Sequence, residues 1–489
     1  MKTILFFPRI DGSFRASYAP LGILSIASFL NANGHEAIVY DRFFEKDSLN
    51  DVFEKHRPDM IGVSIMSHNF IKDAVAVSEA AKKKGIIVVW GGTIGSGIAR
   101  AALGTDFVDY VSYNEGEYTW CDMADAFDEG KPFDDIKGLC YMKNGEFVKT
   151  PMDEFIDLTT LPPLDWSLVD VSRYLQKSYG YENLINIYYS KGCPNRCKYC
   201  FNPNYNRSTR RCRSMDVLLG EMKYLKENCN VGGFDFTDDV MFLTKKEAYE
   251  FCNKMIESGI DTCWSGYLGF GILNDYEDYE LLYKAGCRSM IMGIESGSER
   301  ILRSVNKANK LDKVRSNIEM SVKAGIVPVT MFIIGFPGET VEDLKKTVDF
   351  AKSLDGIAHS FAYYVPVPGS EHYKELVEAG KIKECETLDD YASVNPMERI
   401  VDNYTDNIPD IDLITVKKYM RLRGFFLKTP GEKGIQTLRI FDNTIRTWFR
   451  RGIRNFVKIS FISGTEMLST LTIFLHPRIR KKYGLYFKK

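Results

Sequence analysis

The sequence predicts an α/β protein with a doubly wound N-terminal domain, a second α/β series forming a partial barrel of six strand–helix repeats, and a mainly helical, basic C-terminal region. Three observations carry that prediction. Short, wholly apolar runs alternate with stretches at helical spacing over residues 1–135, as parallel strands covered on both faces require. The alternation pauses over 136–182, a linker rich in Asp, Pro and Lys, and resumes over 183–385. It then stops, and residues 386–489 read as helical. A chain of 489 residues is also too long for one ordinary core.

The first series opens with the strand "TILFFP" (3–8) and the helix "LGILSIASFLNANGH" (21–35), which ends in an Asn-Gly stop. "EAIVYD", "DMIGVSIMS", "IIVVWGG" (86–92) and "FVDYVSY" (107–113) supply further strands, and "FIKDAVAVSEAAKKKG" a further helix. Such sheets bind ligands beyond the carboxyl ends of their strands. Within the linker, "LTTLPPLDW" (158–166) is extended and stiffened by proline.

In the second series the strands are "LINIYYS", "GGFDFTDD", "TCWSGYLG", "SMIMGIES", "VPVTMFIIGFPG" and "AHSFAYYVPVPG". Helices are expected at 214–228, 244–258, 275–285, 298–305, 311–324 and 340–353. Six repeats are too few for a closed eight-stranded barrel, so an open one with a wide mouth is expected.

Composition narrows the class. With 45% apolar and 26% charged residues the chain is a folded protein rather than a disordered one. "MKTILFFPRIDGSF" lacks the long apolar run and cleavage site of a signal peptide, and no stretch reaches the roughly 18 apolar residues of a spanning helix. Eight of the eleven cysteines are scattered, which argues against a disulfide framework. A cytoplasmic protein is expected. Net charge is −1 overall, but residues 417–489 carry 18 Lys and Arg against Glu432, Asp442 and Glu466.

The remaining three cysteines stand together in "YYSKGCPNRCKYCF" (188–201), as Cys193, Cys197 and Cys200. Structural zinc sites normally close with four ligands. Three thiolates on one tight loop suit a cubane iron–sulfur cluster with one iron left open. A zinc knuckle completed by Cys212 is the other reading of the spacing, and it corresponds to a non-catalytic metal-binding module. Several strand ends add candidate ligand groups. Asp238 and Asp239 can accept hydrogen bonds from amino or hydroxyl groups or cap a helix, and Glu295 ends the strand "SMIMGIES". Lys307 offers a point charge, and Gly335 and Gly338 allow close backbone approach or a tight turn.

Cys-x-x-x-Cys-x-aromatic-Cys after the first strand of such a series resembles the radical S-adenosylmethionine (SAM) superfamily. Further segments agree in order: "FDFTDDVMFLTKK" (234–246), "LLYKAGCRSMIMGIESGSERILRSVNKANK" (281–310), "AGIVPVTMFIIGFPGETVEDLKKT" (324–347) and "YVPVPGS" (364–370). The likeness covers about 185–375. It implies a 4Fe-4S cluster on Cys193, Cys197 and Cys200, with SAM chelated to the open iron. It implies reductive cleavage of SAM to a 5′-deoxyadenosyl radical, with electrons from a flavodoxin or ferredoxin type donor. Tyr199, Asp238, Asp239, Glu295, Lys307, Gly335 and Gly338 become the SAM-binding candidates, the glycines beside adenine.

The first domain resembles the Rossmann-like domain of the cobalamin-binding subclass. "YAPLGILSIASFLNANGHEAIVYD" (18–41) matches its Pro-Leu-Gly opening, Ser64 followed by Gly91 and Gly92 its Ser…Gly-Gly pattern, and "YNEGEYTW" (113–120) its Gly-Glu turn. The resemblance implies a cobalamin cofactor whose nucleotide tail is admitted by Ser64, Gly91 and Gly92. The Asp-x-His-x-x-Gly motif of other cobalamin proteins is absent from "PRIDGSFRASYAP", and His68 is the histidine that follows the third strand. Together these imply cobalamin-dependent methylation of an unactivated carbon in a small-molecule or lipid-like substrate. Radical cyclisation, rearrangement or C–C coupling is the alternative. The aromatic and basic stretches "TIRTWFRRGIRNFVKISF" (444–461) and "HPRIRKKYGLYFKK" (476–489) suit peripheral contact through 440–489 with the inner membrane face, or a helical cap on the barrel; nucleic acid is not expected.

Overall fold

The computed structural model describes residues 1–10, 18–152, 154–178, 181–269, 271–307, 309–354, 357–394, 402–405, 407–426 and 477–483. Two compact units emerge from its contacts. One comprises Met1–Gln176, Glu182–Phe234 and Pro366–Pro396, and the other Lys177–Tyr181, Asp235–Val365 and Met397–Lys489.

In the first unit, β1 (Lys2–Phe7), β2 (Glu36–Asp41), β3 (Met60–Ser64), β4 (Ile87–Gly91) and β5 (Tyr110–Ser112) run parallel in the order β2-β1-β3-β4-β5. Ile4, Phe6, Ile61, Val63, Val88 and Trp90 are buried, as expected of strands with helices on both faces. The order reverses between β1 and β3. In sheets of this type the ligand crevice opens there, outside the carboxyl ends of the strands.

One segment differs from the sequence reading. Residues within the linker form a hairpin, β6 (Leu139–Lys143) and β7 (Glu146–Lys149), which extends the sheet antiparallel to β5. Its turn is Asn144-Gly145, with φ of 52° and 84°. That dipeptide is the favoured two-residue hairpin turn because both positions need positive φ.

A two-stranded antiparallel ribbon follows, β10 (Ser190–Gly192) with β11 (Arg210–Cys212). The second large sheet has the order β16-β15-β14-β13-β12-β9-β8. Its strands are β8 (Gln176–Ser178), β9 (Tyr181–Ile187), β12 (Gly233–Phe236), β13 (Cys263–Tyr267), β14 (Cys287–Glu295), β15 (Val327–Ile334) and β16 (Ala358–Tyr363). β13 to β16 pair in parallel, and the order ends on two edges without closing. The six expected strands are all present; β8, three residues long, is an addition that the linker did not reveal. Helices at Met215–Asn228, Lys245–Glu257, Tyr276–Lys284, Glu299–Ser304, Leu311–Lys323 and Val341–Ser353 occupy the expected places.

In the second unit, the helix Asp410–Phe426 packs on β16, burying Leu413, Val416, Tyr419 and Met420. The helix Pro477–Lys482 docks on it through Asp412, which takes a 2.7 Å ion pair from Lys482 and a 2.9 Å hydrogen bond from buried Tyr483. The stretch 444–461, read above as membrane-seeking, lies outside the described residues. No helix among the described residues is long and apolar enough to cross a membrane.

Candidate active site

The cysteine loop is the excursion 193–209 between the two strands of the short ribbon. Ser190 pairs with Cys212, Lys191 with Arg211 and Gly192 with Arg210. The ribbon's neck needs glycine at 192: φ is +93°, and a Cβ there would stand 2.3 Å from the Thr209 carbonyl oxygen. Cys212 thus belongs to the neck of the loop, not to its tip.

Cys197 is buried and Cys193 and Cys200 are half-buried. Two N–H groups point at the sulfurs: Asn195 Nδ2 donates to Cys193 Sγ at 3.3 Å, and the Asn202 amide to Cys200 Sγ at 3.4 Å. Cys197 and Cys200 line a cavity of about 420 Å³ with Arg196, Asn204, Arg207 and Glu371. The guanidiniums suit an anionic occupant. Lys198 makes ion pairs with Glu371 (2.9 Å), which lines the same cavity, and with Glu375 (2.7 Å), while Tyr199 is half-buried.

The loop's base is held by buried polar contacts to turns and helices of the N-terminal α/β segment, which the sequence reading missed. Asn186, at the end of β9, accepts from Ala19 N at 2.6 Å and donates to Ala19 O at 2.9 Å. Lys191 reaches Glu117 at 3.0 Å, and Ser25 donates to the same carboxylate at 2.7 Å. Arg211 grips Glu115 through both guanidinium nitrogens, at 2.6 and 3.0 Å. Burial alone would raise the Glu117 carboxyl; Lys191 and Ser25 outweigh it and hold it low. Burial likewise opposes the Lys191 charge, and Glu117 outweighs it. The turn "NEGE" therefore clamps both strands that carry the cysteine loop. Nothing local in the sequence pairs 115 with 211 or 117 with 191, so only the fold reveals the clamp.

The remaining candidates stand at strand ends. Beyond β12, Asp238 is buried and Asp239 exposed. Glu295 ends β14 at a register shift and has φ +71°, a left-handed conformation that costs a non-glycine residue about 1 kcal/mol. Its carboxylate, 9% exposed, pairs with Lys307 at 3.2 Å. The two residues come together, with Lys307 serving Glu295. After β15, Gly335 and Gly338 both have positive φ, 91° and 71°. Glu339 closes this turn by accepting from the Gly335 and Phe336 amides at 2.6 and 3.2 Å. Burial pushes its carboxyl up to about 8, against those two amides. Ser298 and Arg300 bind Asp343, and Arg300 also donates to Gly338 O at 2.7 Å, welding the turn after β14 to the turn after β15.

At the carboxyl edge of the N-terminal sheet, Ser64 is buried and in register with Gly91. Gly92 has φ +84°, and a Cβ there would lie 2.9 Å from Ile65 N, so this glycine is demanded by the backbone beside it. Gly91 is extended and has only ordinary contact, with Ser112 O. The short helix Gly92–Gly97 presents small residues, and a Cβ at Gly97 would meet nothing within 4 Å. His68 follows β3, buried, its ring parallel to Tyr391 at 6.3 Å. Burial lowers its imidazole to about 4, and Nε2 has no hydrogen-bond partner among the described residues.

A family model of the radical SAM superfamily matches residues 187–351, and one of the B12 binding domain matches residues 10–124. The chain belongs to the radical SAM superfamily, in its B12-binding subclass. An uncharacterized methyltransferase of Pyrococcus horikoshii is 25% identical over 411 residues, covering 82% of this chain and 88% of that one. The anaerobic magnesium-protoporphyrin IX monomethyl ester cyclase of Rubrivivax gelatinosus is 25% identical, covering 79% and 73%. Among solved structures, the methyltransferase TsrM of Kitasatospora setae, with cobalamin and a 4Fe-4S cluster bound, has a TM-score of 0.67 at 19% identity, covering 80% of this chain and 81% of that one.

This radical SAM enzyme has residues that fit the subclass's cofactors, a 4Fe-4S cluster, SAM and cobalamin. Three thiols with N–H donors aimed at two of them and arginines alongside suit an anionic cluster. The carboxyl ends of the parallel strands, with small residues after β4 and open space at Gly97, suit a large flat cofactor with a tail.

Proposed function

We propose that this radical SAM enzyme methylates an unactivated carbon of a small organic molecule, with cobalamin as the methyl carrier. The observation that carries the reading is the buried clamp: Glu115 and Glu117 of the B12-binding domain hold Arg211 and Lys191 at the base of the cysteine loop. Such a clamp suits an enzyme whose two cofactors work on one substrate. The names of the Pyrococcus horikoshii and Kitasatospora setae proteins support methyl transfer.

When bound, the cluster and SAM supply a radical able to take hydrogen from carbon, and cobalamin supplies the methyl group. The chain's own residues bind and orient. Cys193, Cys197 and Cys200 hold the cluster. Glu295, paired with Lys307, and buried Asp238 accept hydrogen bonds from SAM's amino and hydroxyl groups, with Asp239 at the rim. Tyr199, Gly335 and Gly338 flank the adenosyl end. Ser64, Gly91 and Gly92 make room for the corrin's tail. A flavodoxin or ferredoxin type donor delivers the electron.

Ring closure without methyl transfer is the second reading, favoured by the cyclase relative. The excess of basic residues over 417–489 supports a third element, contact with an anionic membrane face or a lipid-like substrate. Deleting 440–489 is then expected to abolish binding to anionic liposomes. Incubation of anaerobically purified protein with methyl-labelled SAM and reductant separates the first two readings. Methyl transfer predicts a cobalamin absorption spectrum and label on the recovered corrin. Protein that lacks cobalamin yet cleaves SAM would overturn the methylation reading and leave ring closure.

A further inference from the structure

A second cluster of metal-ligating side chains sits on the N-terminal sheet, at the edge opposite the strand ends discussed above. Cys121 and Asp125 are four residues apart on the helix Glu117–Asp128 and therefore share one face. His35, immediately before β2, stands against that face. One ligand atom from each of the three lies within 4.8 Å of the others. His35 Nε2 is 3.1 Å from Asp125 Oδ1. Its Nδ1 is 3.4 Å from Asp128 Oδ2 but is buried and makes no hydrogen bond among the described residues. The imidazole is 6% exposed and Asp125 62% exposed, so an entering ion has a path from solvent.

Asp125 stands beside the half-buried Cys121 thiol, while Asp128 is matched by the Met1 amine at 2.8 Å. A divalent cation among Asp125, His35 and Cys121 would face one carboxylate, one imidazole and one thiol. Thiolate, imidazole and carboxylate together select zinc-type ions over magnesium or calcium, which prefer oxygen donors alone.

We propose that His35, Cys121 and Asp125 bind a zinc-type divalent cation, with solvent water completing the coordination. Cys121 loses its proton to solvent as the Sγ–metal bond forms, and no electron is transferred. The ion pins the helix Glu117–Asp128 to the start of β2.

Zinc chloride titrated into the anaerobically reconstituted full-length enzyme, followed by gel filtration and metal counting, tests this. The wild type is expected to retain about one zinc per chain beyond the cluster iron, releasing about one proton on binding. Cys121→Ser and His35→Gln are each expected to weaken zinc retention at least tenfold with iron and cobalamin contents unchanged. Because cluster cysteines also take zinc in iron-free protein, the Cys193→Ala/Cys197→Ala/Cys200→Ala chain is the control, and it should still retain its zinc. No zinc in the wild type, undiminished zinc in Cys121→Ser, or loss of zinc from the triple variant would each overturn the proposal.

Discussion

Three residues concentrate the local constraints. Gly192 sits at the neck of the cysteine loop, where a Cβ would collide with the Thr209 carbonyl. Gly192→Ala should therefore lower iron incorporation on reconstitution several-fold while the far-ultraviolet circular dichroism stays native. Glu295 holds a left-handed backbone and a buried ion pair to Lys307, the combination of strain and charge that gathers at ligand sites. Glu295→Gln is expected to weaken SAM binding at least tenfold by calorimetry, with the cluster's absorption unchanged. Glu339 gives a pH dependence. Its folded carboxyl lies near 8 against an ordinary 4.5, so the folded chain holds a proton that the unfolded chain releases across that window. Stability should fall as pH rises from about 4.5 to about 8, by up to ~1.4 kcal/mol per pH unit from this group. Glu339→Gln should flatten the profile of urea midpoints, and an unchanged slope would show that Glu339 titrates normally.

At the scale of elements, the ribbon β10–β11 and the "NEGE" turn act as a unit. Lys191→Met leaves buried Glu117 without its cation, a change that typically costs about 3 kcal/mol when a buried pair is broken. The loss should be cooperative with Arg211→Met, and a double-mutant cycle that is strictly additive would contradict a shared clamp. Much of this scale was legible in the sequence. Apolar runs located every parallel strand of the first domain, and helical spacing located the helices of the second to within a residue or two, because burial on both faces and on one face leave distinct periods. The hairpin at 139–149 carried its own signal in Asn144-Gly145, overlooked because the surrounding segment looked like linker. Three-residue β8 is too short to leave a period at all. The clamp was illegible for a different reason: its partners lie 74 and 96 residues apart, and a lone Glu or Lys reads as solvated surface. Asp238 and Asp239 read alike in the sequence as strand-end acceptors, and the fold buries the first and exposes the second.

For the whole molecule, the two matched families place an iron–sulfur, SAM-binding segment and a B12-binding segment on one chain. The buried contacts from Ala19, Glu115 and Glu117 to Asn186, Arg211 and Lys191 give that pairing a physical basis within the first unit. Changes at the clamp should reach the cluster: Glu117→Gln is expected to alter its electron paramagnetic resonance signal without touching a cysteine. SAM turnover by anaerobically reconstituted enzyme given a strong reductant shows directly whether the cysteine loop supports SAM cleavage. About four irons per chain and release of 5′-deoxyadenosine are expected, both abolished in Cys197→Ala. Wild-type protein with a full, reducible cluster that leaves SAM intact would contradict SAM cleavage at this loop.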